Sequence, residues 1–140
     1  MKQNVMLSIK GKQCYQDQEP EIIELVTEGT LEKLSNGWEL LYQESDLTGM
    51  DGVTTSFLFE PGRIILTRSG KLKSQMIFVL NQPHESLYQM PFGALMLTVC
   101  ATKISFDLSE DGGVVDLDYS IEIEQSCAGM INYHLEMRKI

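Results

Sequence analysis

Residues 114–124 read Val-Val-Asp-Leu-Asp-Tyr-Ser-Ile-Glu-Ile-Glu, and their order decides the fold class. Val115, Leu117, Tyr119, Ile121 and Ile123 alternate with Asp116, Asp118, Ser120, Glu122 and Glu124. Successive side chains of a strand point to opposite faces, so the segment has one apolar and one acidic face. A helix would scatter the same carboxylates around its axis. The period of two returns at Ile104, Phe106 and Leu108, and again at Ile131, Tyr133, Leu135 and Met137. Val5, Leu7 and Ile9 form a shorter stripe of the same kind.

Turn chemistry punctuates these runs. Asn36-Gly37 is the dipeptide favoured in type I′ hairpins, where both central residues need positive φ. Pro61-Gly62 suits a tight turn, and Ser69-Gly70 and Glu110-Asp111-Gly112-Gly113 supply two more. Stretches of strand length lie between them at 37–45, 53–60, 63–68, 72–80 and 93–101. Residues 19–34 contain helix formers, but Gly29 interrupts them and Ile23, Leu25, Thr27 and Leu31 keep a period of two, which predicts a long strand. Residues 82–91 read as a loop. The expectation is an all-β chain, one domain over 1–140, folded as a single antiparallel β-barrel of roughly eight to ten strands in a meander. Closure removes sheet edges, which favours a barrel over a sandwich. Alternation does not decide whether such an interior is filled or holds a small ligand.

Composition narrows the chemistry. In 140 residues, 43% hydrophobic and 22% charged, acidic groups outnumber basic ones by 20 to 11, for a net charge of -9. Nucleic-acid affinity comes largely from Lys and Arg neutralising phosphates, so no nucleic-acid partner is expected. No run reaches the ~18 apolar residues of a spanning helix, and the N-terminal residues lack a signal-peptide pattern. The expected location is cytoplasmic, with no membrane partner. Cys14, Cys100 and Cys127 are odd in number, far apart and without a CxxC, which predicts three reduced thiols, Cys100 within the core run 95–101.

The sequence carries none of the common catalytic or metal-binding motifs. HExxH, GxSxG, GxxxxGK[ST] and GxGxxG are missing. His84, in the expected loop, and His134, on the polar side of the last strand, read as solvated, as do Asp116, Asp118, Glu122 and Glu124. No catalytic residue, metal or cofactor is therefore assigned. One constellation departs from this pattern. The parity that buries Trp38, Leu40 and Tyr42 carries Glu44 inward, and the parity of Ile64 and Leu66 does the same for Arg68. Buried charges cost several kcal/mol unless paired, so either an ion pair at one barrel end closes the barrel or anchors a ligand, or both heads snorkel to solvent. Tyr42, Tyr88 and Tyr119 offer hydroxyls nearby. The Thr48-to-Gly52 connection, with Met50 framed by glycines, and the cluster from Tyr88 to Gly93, with Phe92, complete a candidate mouth. Its members are Tyr42, Glu44, Thr48, Met50, Arg68, Tyr88 and Phe92.

The order of several short pieces is itself informative: Glu28-Gly29, Tyr42-Gln43-Glu44-Ser45, Thr48-Gly49-Met50, Thr54-Thr55, Arg68-Ser69-Gly70, Gln75-Met76-Ile77-Phe78, Tyr88-Gln89-Met90-Pro91-Phe92-Gly93, Thr102 and Asp118-Tyr119. From about Val5 to Met137 the chain resembles the YwiB-like family of small bacterial proteins. The resemblance implies a calycin-like, lipocalin-type antiparallel barrel of unknown function, with no catalytic residues to carry over. Phe92 departs from it, standing where a tyrosine is equally familiar. Three function classes follow: a non-enzymatic binder of a small, partly apolar or anionic ligand; an interaction module with a solid barrel and a basic protein partner; and an enzyme using Glu44 and Arg68. An open interior of a few hundred Å³ separates the first from the second. Fluorescence anisotropy should show no binding of duplex DNA or RNA at physiological salt, and salt-sensitive micromolar binding would refute the expectation of no nucleic-acid partner.

Overall fold

The computed structural model describes residues 2–15, 18–44, 51–124 and 126–140. Thr48, Met50 and the side chain of Cys127 lie outside the described residues. Ten strands follow in order: β1 (Lys2–Tyr15), β2 (Glu21–Leu34), β3 (Gly37–Gln43), β4 (Val53–Glu60), β5 (Arg63–Gly70), β6 (Ser74–Val79), β7 (Pro83–Met90), β8 (Gly93–Ser109), β9 (Gly112–Ile123) and β10 (Ser126–Lys139). They form one sheet in the order β6-β5-β4-β3-β2-β1-β10-β9-β8-β7. All ladders are antiparallel, and β1 joins β10 from Val5↔Lys139 to Tyr15↔Gly129. At the seam between β6 and β7, Lys73 and Gln89 exchange backbone hydrogen bonds of 2.9 and 2.8 Å. A bridge between Val79 and Gln82 holds the other end of the seam, and between the two Ser86 Oγ donates to the Gln75 carbonyl at 2.5 Å. The result is a nearly closed barrel.

Parity places the core as expected. Val5, Leu7, Leu31, Leu40, Ile64, Leu66, Val115, Leu117 and Leu135 are buried on the inner faces of β1, β2, β3, β5, β9 and β10. Phenylalanines plug one half of the interior: Phe57 stacks on Phe59 with centroids 5.8 Å apart, and Phe106 stands 5.6 Å from Phe59. This half lies toward the β2–β3, β4–β5 and β8–β9 turns. The long strand expected at 19–34 is present as β2.

Four expectations need correction. The loop expected at 82–91 is strand β7, which starts at Pro83. Its inward positions are His84, Ser86 and Tyr88, so no apolar stripe marks it; pairing with β8 makes it a strand. Proline at a strand's first residue is compatible with this. The runs at 93–101 and 104–108 are one strand, β8, with a bulge between Ala101 and Lys103. The extra residue, Thr102, shifts the inward set from odd to even numbers. Cys100 is half-buried on the outer side, between inward Val99 and Ala101. The hairpin at Asn36-Gly37 exists, but Leu34 pairs with Gly37, so its loop is Ser35-Asn36, and neither residue has positive φ. A type I′ turn is thereby ruled out. Gly37 serves a different need: a Cβ there would run into the Phe59 carbonyl.

The outer acidic face of β9 is partly paired. His134 Nδ1 lies 2.7 Å from Asp116 Oδ1, and Nε2 lies 3.0 Å from Glu136 Oε1. The Glu136 hydrogen bond, followed by that to Asp116, raises the His134 pKa above the ordinary imidazole value. Packing sets the stability contrasts. Phe59→Ala should cost about 3–5 kcal/mol in urea denaturation, whereas Phe92→Ser, at a side chain 86% exposed, should stay within about 0.5 kcal/mol of wild type.

Candidate functional site

The half of the barrel opposite the phenylalanine plug is hollow. A cavity of about 480 Å³ opens toward the β1–β2, β3–β4, β5–β6, β7–β8 and β9–β10 connections. Its wall is mostly aliphatic, from Ile23 and Leu25 on β2, Leu95 and Leu97 on β8, Ile121 and Ile123 on β9, and Ile131 on β10. All five tyrosines of the chain line it: Tyr15, Tyr42, Tyr88, Tyr119 and Tyr133. Among the lining residues the charged ones are Glu44 and Arg68.

Register explains how the polar groups gather. Tyr42 on β3 faces Thr55 on β4, Thr55 faces Arg68 on β5, and Arg68 faces Ser74 on β6. One inward row therefore crosses four strands with polar side chains, all buried. Glu44 follows Tyr42 by two residues and keeps the inward parity; it is 6% exposed, and Arg68 is 8% exposed. Thr55 Oγ1 donates to Glu44 Oε2 at 2.5 Å, and the Tyr42 hydroxyl also hydrogen-bonds to Glu44. Arg68 Nε has no hydrogen-bond partner among the described residues.

Burial disfavours the Arg68 cation, and the Glu44 carboxylate in the same cavity favours it. In the ring of ten strands β10 lies opposite β5, so Tyr133 lines the cavity from the side across from Arg68. Tyr119 rests on the plug through Phe78, centroids 4.6 Å apart, and Tyr133 packs over Gly11, where a Cβ would stand 3.4 Å from its ring. Burial pushes the Tyr42 and Tyr119 phenols well above their ordinary pKa. For Tyr42 the Glu44 charge adds to the effect, and for Tyr119 the neighbouring Tyr133 does.

Of the residues proposed for the mouth, Tyr42, Glu44, Arg68 and Tyr88 meet in this cavity. Phe92 does not: it projects from the β7–β8 turn into solvent, because a two-residue turn leaves no wall beside it. Thr48 and Met50 lie outside the described residues. Glu44 and Arg68, expected as an ion pair, both line this cavity and interact electrostatically, while Thr55 and Tyr42 supply hydroxyls to the carboxylate. Sequence reading missed Tyr15, Gln13 and Thr55, and took Tyr133 as core only. Parity from Val5, Leu7 and Ile9 leads through Gly11 and Gln13 to Tyr15, but those two residues end the apolar stripe that would have flagged it. A more open hollow of about 600 Å³ lies beyond the plug, bordered by Lys2, Lys33, Lys139 and Trp38, with Lys33 Nζ 5.1 Å from the Trp38 ring. Its cations are on the surface.

The family description "Domain of unknown function (DUF1934)" matches residues 7–137. An uncharacterized beta-barrel protein, YwiB of Bacillus subtilis, is 29% identical over 124 residues, covering 88% of this chain and 86% of that protein. The crystal structure of the ywiB protein from Bacillus subtilis superposes with a TM-score of 0.89 at 24% identity, over 99% of this chain and 93% of that one. The likeness extends to the whole fold.

The raised phenol pKa values carry a sign. A tyrosine whose folded pKa exceeds its unfolded value of about 10 contributes stability that is present below that pH and lost as pH rises beyond it. Ultraviolet titration should leave Tyr42 and Tyr119 un-ionised until the protein unfolds. Urea stability should fall above pH ~10 by about 1 kcal/mol per pH unit for each. Five tyrosines ionising together in the folded protein would contradict this burial.

Proposed function

The chain belongs to this family of domains of unknown function, and from that premise we propose that it is a non-enzymatic binder of a small, partly apolar or anionic ligand in the hollow half of the barrel. One observation carries the reading. A cavity of about 480 Å³ collects every tyrosine of the chain together with a buried guanidinium and a buried carboxylate, on a mainly aliphatic wall. Small-molecule sites have this character: concave, mainly apolar and provided with a few convergent polar groups. A solidly packed barrel would have favoured an interaction module instead. We place the protein in the cytoplasm, a reading supported by Cys14 and Cys100 being free thiols.

The test uses anilinonaphthalene sulfonate, a dye that is itself partly apolar and anionic and brightens in a dry site. Wild-type protein should bind it with saturable fluorescence. Leu97→Trp, which puts an indole into the cavity from a buried lining position, should abolish the signal while circular dichroism stays β-rich. Equal fluorescence from both proteins would place the dye on the outside and remove the reading.

A further inference from the structure

Resting on that reading, we infer that the ligand is a compact monocarboxylate, with its acid group on Arg68 and its apolar body against the aliphatic wall. Arg68 is the one cation among the lining residues, it is more than nine-tenths buried, and its Nε has no partner among the described residues. A guanidinium so placed gains from a planar anion, because its fork of donors matches the two oxygens of a carboxylate. The hydroxyls of Tyr119 and Tyr133 line the same cavity and can donate further hydrogen bonds.

The charge of the ligand is limited by Glu44. Its carboxylate shares the cavity, where Thr55 and Tyr42 hydroxyls hold it. Glu44 and Arg68 sum to zero, so a monoanion leaves one excess negative charge in a low-dielectric space and a dianion leaves two, which is the costlier by far. This selects a carboxylate over a phosphate monoester. An ammonium would be drawn to Glu44 but repelled by Arg68.

Depth limits the body. On β9 the cavity runs from Tyr119, seated on the plug through Phe78, to Ile123, the strand's last residue. Four residue steps at ~3.3 Å give roughly 13 Å of strand. Barrel strands tilt by ~35–45°, which leaves about 10 Å along the axis. A ring-sized or branched acid fits that depth, and a long extended chain protrudes through the mouth. The wall toward the body is aliphatic, from Leu25, Leu97, Ile121 and Ile131, so it recognises size rather than polar pattern.

Isothermal titration calorimetry on the full chain with near-isosteric probes tests this. Naphthoate should bind about tenfold or more tighter than naphthalenemethanol, as expected for hydrogen bonds to a charged group. Naphthylmethylammonium should bind more weakly than the alcohol, and dodecanoate more weakly than naphthoate. Arg68→Gln should reduce naphthoate at least to the affinity that wild-type protein has for the alcohol. If that variant fails to fold, the ranking on wild-type protein decides alone. Alcohol or ammonium binding as tightly as naphthoate would overturn the carboxylate class, and tighter dodecanoate would overturn the compact body. Failure of all four probes in a protein that still binds the dye would overturn this inference alone. Failure of the dye as well would overturn the binding reading with it.

Discussion

The ladder between β1 and β10 is the pairing on which the rest of the structure depends. Every other ladder joins strands adjacent in sequence, each a local hairpin. Only Val5↔Lys139 through Tyr15↔Gly129 brings the first strand against the last and welds β2–β6 to β7–β9. Without it the sheet would be two open meanders, meeting at a β6–β7 hairpin whose hydrogen bonds lie mainly at its ends. Its formation carries the largest loop-closure cost in the molecule, and its reward is a closed interior that shields both halves of the core.

Closure then poses a volume problem. A ring of ten strands encloses more space than short side chains fill. In one half Phe57, Phe59, Phe78 and Phe106 solve it with rings. In the other half the inward positions carry Ile, Leu and five tyrosines, and a cavity stays open. The boundary is mixed in character: Phe78 meets Tyr119, and Tyr119 meets Tyr133 at 6.2 Å. A rigid aromatic floor beneath polar tips gives the cavity a fixed base, which favours binding by limiting the reorganisation a ligand must impose.

Holding two opposite charges inside such a space is costly, and the register distributes the cost. The inward row Tyr42, Thr55, Arg68 and Ser74 brings two hydroxyls to Glu44, while Arg68 Nε and Ser74 Oγ have no hydrogen-bond partner among the described residues. Replacement by apolar groups would make a tighter plug, as at the other end of the barrel. Retaining a guanidinium with an unmatched donor instead makes the hollow half chemically selective.

Period-two alternation is a local property, set by the geometry of each residue and its neighbours, so the amino-acid sequence by itself determined the all-β class, most strand positions and the inward direction of Glu44 and Arg68. It also determined the inward direction of Tyr133, whose side chain sits in an apolar stripe. Position 100 shows where local reading stops: an apolar run hides parity, and only pairing with β7 and β9 turned Cys100 outward. β7 itself has no apolar stripe and became a strand because β8 offered it an edge. The meeting of Tyr133 with Arg68 across five strands, and the hollow above the phenylalanine plug, were decided by the tertiary structure alone. Both depend on how many strands close the ring and on which inward residues then face each other, and those are distances between parts of the chain that no local pattern contains.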